Sequence, residues 1–227
     1  KESSAFALIC DGMGGTDGGA QAGRIGVDTA LNAFRSSPEE GDLLQVIVQA
    51  AKEADRKIRE LQDESGKPLQ AGSTMASVII QNGKLNWCAA GDIRGYLLRD
   101  GELAQFTKDL NYKAVLDEQL RAGLIDRQRY ALELCRGEAL ISYLGIGDLS
   151  LIDHSSFPVP LMTGDRLILM SDGLYRLLSD EEIRIPLSAG KSPEETLETL
   201  EKKAAENAEK TGSSRDNMTV LVLDIKE

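Results

Sequence analysis

Apolar positions change their period along this chain, and each change marks an element. Ser3 to Cys10 (SSAFALIC) is a short apolar run ending at a glycine cluster, which predicts a strand entering a tight loop. From about Gly19 to Phe34, Ile25, Val27, Ala30, Leu31 and Phe34 fall at helical spacing. Ser37-Pro38-Glu39-Glu40 and Ser192-Pro193-Glu194-Glu195 each put Ser at an N-cap, Pro at the first position and Glu at the third. That pattern is a capping box with a preset φ angle, so each predicts a helix start. The first helix carries the stripe Leu43, Leu44, Ile47, Ala51, Ala54, Ile58 and Leu61. The second carries Leu197, Leu200, Ala204 and Ala208. Both stripes read as core faces.

Between them the period falls to two. Ser73–Gln81 and Lys84–Ala90 flank Asn82-Gly83, and Arg94–Arg99 and Glu102–Phe106 flank Asp100-Gly101, so two tight hairpins are expected. Later strands are predicted at Leu149–Ser155, Arg166–Met170 and Asn217–Ile225. Antiparallel hairpins bracketed by amphipathic helices imply two packed sheets with helices outside. Residues 108–145 are polar and helix-leaning, as a surface subdomain would be. With no repeat, linker or low-complexity tract, residues 1–227 read as one domain.

Charge narrows the function. Lys and Arg total 26 against 37 Asp and Glu, a formal net charge of −11. Such a surface repels nucleic acid and anionic lipid, so neither is an expected partner. No apolar stretch approaches the roughly 20 residues that span a bilayer. The chain opens Lys-Glu-Ser-Ser, without Met or an apolar leader, and a preceding segment is expected. Cys10, Cys88 and Cys135 are odd in number and far apart, so they read as small buried hydrophobes in a reducing cytoplasm.

Three aspartates sit at strand ends beside Gly or Asn: Asp11 (ICDGMGG), Asp172 (LMSDGL) and Asp216 (SRDNMTV). Asp92 (AAGDIRG) follows the Trp87 strand. An Asp before Gly is first of all a turn residue. Several at neighbouring strand ends would instead converge into an all-oxygen cage, which suits Mg2+ or Mn2+; one His and scattered Cys argue against zinc or copper.

The flanks favour the cage. Asp11-Gly12-Met13-Gly14-Gly15, Gly72-Ser73-Thr74, Gly91-Asp92-Ile93-Arg94-Gly95, Ser171-Asp172-Gly173 and Asp216-Asn217-Met218-Thr219 occur in the order and spacing of the protein phosphatase 2C family. The chain resembles its bacterial branch along nearly its whole length. The resemblance implies an α+β fold, a four-layer α-β-β-α sandwich of two central antiparallel sheets flanked by helices. It implies a protein serine/threonine phosphatase with two Mn2+ or Mg2+ ions and a weaker third, in which a metal-bridging hydroxide attacks phosphoserine or phosphothreonine. Asp11 would bridge the ions and the Gly12 carbonyl would bind the second. Asp172 and Asp216 would hold the first, and Asp92, with Asp172, the third. Residues 108–145 would be a flap bordering the cleft. Expected partners are phosphoprotein substrates and a cognate serine/threonine kinase, and the chain is expected to be a cytoplasmic monomer.

Three departures qualify the match. The family's phosphate-gripping Arg lies on a strand upstream of the DGMGG motif, and the ten residues before Asp11 hold no Arg, so an omitted strand is expected. Met13 stands where many relatives have a His able to donate a proton. Ile93 stands for the usual Ser. A water polarised by a metal at Asp92 is then the expected acid; His154 reads as structural, and Arg94 as a carboxylate partner bracing its loop, with Arg24 a weaker candidate for phosphate. The departures leave one alternative, a pseudophosphatase binding a phosphoprotein without turnover; a small-molecule phosphohydrolase is a third class that only a substrate assay separates.

Overall fold

The period-two segments pair in the computed structural model, which describes residues 4–38, 40–214 and 216–226. In chain order the strands are β1 (Ser4–Met13), β2 (Gly72–Gln81), β3 (Lys84–Ala90), β4 (Arg94–Arg99), β5 (Glu102–Gln105), β6 (Asp153–His154), β7 (Val159–Pro160), β8 (Arg166–Met170) and β9 (Val220–Asp224). One antiparallel sheet has the order β1-β2-β3-β6, with β7 also on β3; the other has the order β5-β4-β8-β9. Both hairpins form as predicted. Asn82 and Gly83, like Asp100 and Gly101, take the positive φ that the tight turn demands.

Alternation assigns each side chain to a layer. Met75 and Ile79 of β2 join the core under helices α1 (Gly15–Ser36) and α2 (Leu43–Arg59). Ala76 and Val78 point the other way, into an apolar layer between the sheets with Leu167 and Leu169 of β8. Ile168 and Met170 face the third core, beneath α6 (Asp180–Ser188) and α7 (Pro193–Thr211). The fold is therefore α-β-β-α with three apolar seams, and each fully buried Leu or Ile contributes about 1.5–3 kcal/mol. Between β5 and β6 lie the short helices α3 (Tyr112–Arg121) and α4 (Arg127–Glu133). One turn of helix, α5 (Asp172–Tyr175), follows β8.

Several boundaries differ from expectation. Ser37 does not start a helix: α1 runs on to Ser36, and the Ser37 amide and hydroxyl donate to the Ala33 and Phe34 carbonyls. The second helix begins at Leu43, where the Asp42 carboxylate accepts from the Gln45 amide at 2.9 Å. Glu39 of the expected box lies outside the described residues. The expected strand at 149–155 shrinks to Asp153–His154; its first residue, Leu149, belongs instead to a 145–149 loop whose Gly145, Gly147 and Leu149 amides donate to the Asp55 carboxylate of α2. The last strand starts at Val220 rather than Asn217. Cys10 is half-buried and Cys88 buried, but Cys135 is exposed; it lies on a 3-10 turn of the surface segment.

Candidate metal centre

Asp11 lies near the end of β1, opposite Thr74 of β2. The GST segment earns its place here by fixing the backbone beside it: the Ser73 hydroxyl donates to the Asp11 carbonyl at 3.0 Å, and that of Thr74 does so at 3.4 Å. A Cβ on Gly12 would lie 2.0 Å from the Gly19 carbonyl oxygen, so glycine is what lets α1 start against the strand end. Gly173 has the same role: its Cβ would lie 2.2 Å from the Asn217 carbonyl oxygen. Ser171 also exchanges two 3.0 Å hydrogen bonds with Thr219, tying the end of β8 to the loop before β9.

These constraints bring all four predicted aspartates, Asp11, Asp92, Asp172 and Asp216, onto one cleft of about 390 Å³, with Gly12, Met13 and Ile93 also in its wall. Burial, and then the nearby Asp172 charge, push the Asp92 carboxyl up to about 6. A hydrogen bond from Tyr175 and the nearby Arg176 oppose that shift. Asp11 is also raised, by burial first and then by Asp172 and Asp216. The cleft thus concentrates mutually repelling carboxylates, a field that favours cations. Asp216 is exposed and accepts from the Asn217 amide at 2.8 Å. Among the described residues no three carboxylate, imidazole or thiol groups stand close enough together to hold one metal ion. The oxygen donors nevertheless fit hard divalent ions with positions open to substrate.

Of three larger depressions, the two of about 730 and 740 Å³ offer less. In the first, Arg166 is bonded to Asp224, and Asp165 accepts from Arg99 outside it; in the second, Asp55 is spent on backbone amides. Other candidates fall outside the cleft. Arg24 is exposed and sits 3.7 Å from Asp28 on the surface of α1. His154 is exposed on β6, its ring Nδ1 3.2 Å from the Ser155 carbonyl. Arg94 grips Asp109 with Nε and Nη2 and lies over the Tyr175 ring, 4.0 Å from its centroid, so it braces the loop as expected. Ile93 packs into the layer between the sheets, which suits its apolar side chain.

The cleft also holds residues that the motifs do not single out: Glu138, Leu140 and Tyr143 from the surface segment, and Arg176. Arg176 was visible in principle, since it lies four residues after Asp172, one helical turn on. The residues from the surface segment carry no such signal.

Residues 1–210 match the family model described as Protein phosphatase 2C. The chain belongs to that family. It is 33% identical over 222 residues to the serine/threonine protein phosphatase PstP of Mycobacterium tuberculosis, an alignment covering 96% of this chain and 40% of PstP. It is 28% identical over 227 residues to the serine/threonine phosphatase stp of Listeria welshimeri, covering 99% and 86%. The solved catalytic domain of PstP, in complex with two manganese ions, superposes with a TM-score of 0.76 at 26% identity, covering 98% of this chain and 88% of that one.

Proposed function

We propose that this chain is a metal-dependent protein serine/threonine phosphatase hydrolysing phosphoserine and phosphothreonine, and that Asp11, Asp172, Asp216 and the Gly12 carbonyl hold two Mn2+ or Mg2+ ions. The observation that carries the reading is the meeting of four separately placed aspartates in one cleft. The family membership and the named relatives, all phosphatases, support turnover over the silent alternative. When bound, the ions supply an activated water as nucleophile and neutralise charge on the phosphoryl oxygens.

The protein's own contribution is placement. Ser73 and Thr74 fix the Asp11 carbonyl, and Ser171 ties Asp172 to the Asp216 loop. The departing serine or threonine oxygen needs a proton as its bond to phosphorus breaks, and Met13 has none to give. We assign its delivery to the Asp92 side of the cleft, where Asp92 and Asp172 would hold the weaker third ion. Residues 108–145 act as a flap within a single domain over 1–227, a reading supported by Glu138, Leu140 and Tyr143 in the cleft wall. Among the described residues no helix is long and apolar enough to cross a membrane. We place the enzyme in the cytoplasm, as a monomer opposing a serine/threonine kinase.

The test is hydrolysis of a phosphoserine peptide by the chain with Mn2+, with and without chelator. Turnover that disappears with chelator and returns with added Mn2+ is expected. Undiminished turnover in chelator would sink the metal centre.

A further inference from the structure

We propose that Arg176 binds the phosphoryl group of the substrate in this cleft. The inference rests on the phosphatase reading above and adds a residue to it. Five carboxylates, those of Asp11, Asp92, Asp172, Asp216 and Glu138, line the cleft. Among the described residues Arg176 is the one Lys, Arg or His side chain lining it. A phosphoryl dianion entering so acidic a cleft gains most from a planar guanidinium, which can give two parallel hydrogen bonds to its oxygens.

The way Arg176 is held differs from the arginines that brace the fold. Arg94, Arg99 and Arg166 each commit Nε and Nη2 to a single carboxylate, on Asp109, Asp165 and Asp224 respectively. Arg176 meets two carboxylates through the one nitrogen Nη2, Glu138 at 2.5 Å and Asp172 at 2.8 Å. Its side chain is 44% exposed, against 25%, 27% and 9% for the other three. The four-residue spacing on α5 keeps it beside Asp172, and Glu138 tethers it from the surface segment. A divalent cation taken up by Asp172 competes for the same carboxylate. The guanidinium then loses its Asp172 anchor while still lining the cleft that phosphate must enter.

Arg176→Gln and Arg176→Lys separate this role from simple neutralisation of Asp172. Circular dichroism and melting first establish that each variant is folded. Mn2+ titration followed by electron paramagnetic resonance then reads cation affinity, and calorimetry with inorganic phosphate at saturating Mn2+ reads the anion site. In Arg176→Gln, Mn2+ is expected to bind as tightly as in wild type or more tightly. Phosphate should weaken by about tenfold or more, the scale of a lost charge-assisted pair of hydrogen bonds, and KM for a phosphoserine peptide should rise more than kcat falls. Lys, with charge but no fork, should recover part of the loss. Phosphate affinity and KM within twofold of wild type in either folded variant would overturn the inference. A wild-type chain that binds Mn2+ and phosphate but hydrolyses nothing would sink the catalytic reading, while the phosphate arm would still decide for or against Arg176.

Discussion

The Ser171 hydroxyl accepts a hydrogen bond from the Thr219 amide at 3.0 Å, while the Ser171 amide donates to the Thr219 carbonyl at the same distance. Ser171 is fully buried. Replacing it with Ala keeps the second bond but leaves the Thr219 amide without its acceptor, at a cost of about 1–3 kcal/mol. For a chain of this size that lowers Tm by roughly 2–4 °C per kcal/mol. Because Thr219 closes the loop that carries Asp216, Mn2+ should also bind more weakly in Ser171→Ala. Calorimetry that finds Mn2+ affinity unchanged would detach this clamp from the metal centre.

Asp11 is held in a setting that resists its charge, through burial and then the charges of Asp172 and Asp216. Asp11→Asn removes that charge without removing bulk. In chelator the variant is expected to melt above wild type. Adding Mn2+ should raise the wild-type Tm and leave the variant's nearly unmoved. A variant that melts below wild type in chelator would show that the Asp11 carboxylate holds the fold together rather than serving the site.

Asp92 shares the cleft with Asp11, Asp172 and Asp216 but is not one of the proposed ligands of the two-ion set, so Asp92→Asn should leave Mn2+ binding there and the fold intact. Its effect should depend on the leaving group. Phosphoserine peptide, which expels a poor leaving group, should lose turnover steeply; p-nitrophenyl phosphate, whose phenolate needs little protonation, should lose far less. Saturating Mn2+ keeps weakened affinity from imitating lost chemistry. Equal losses on the two substrates would remove Asp92 from the acid step.

The loss of stability on acidification should involve Glu182. Its carboxylate accepts from the Ser179 amide and hydroxyl and from the Asn207 side chain, which pull it down to about 2. A depressed carboxyl stabilises the fold above its unfolded value of 4.5, and that contribution is lost as pH falls through about 2. Glu182→Ala should therefore cost about 1 kcal/mol at pH 7, the usual scale of a helix cap. The gap to wild type in urea melts should begin to close below pH 4.5. A gap that widens on acidification would contradict this.

The elements were legible in the sequence wherever one local interaction decides them. Asn82-Gly83 and Asp100-Gly101 demand positive φ within two residues, and both hairpins formed in register. Ser192-Pro193 began α7 with both halves of its capping box made. The same signature at Ser179-Asp180-Glu181-Glu182 starts α6, a helix readable by that rule and passed over. Ser37 shows the limit of such signals, because α1 continued to Ser36 and took the residue for its own end.

For the site, the sequence by itself determined the residue types: four aspartates beside turn-forming neighbours, and glycines where a side chain would collide. It could not determine that they share a cleft, since Asp11 and Asp216 lie at opposite ends of the chain and meet only because two sheets stack face to face. Nor could it give Arg176 its neighbours. The guanidinium lies between Asp172, one turn away, and Glu138, which a surface segment delivers from elsewhere in the fold. Spacing along a chain fixes local geometry because a few dihedral angles connect the residues. Contacts across the sandwich depend on how the apolar faces of whole sheets and helices pack, and only the tertiary structure decides that.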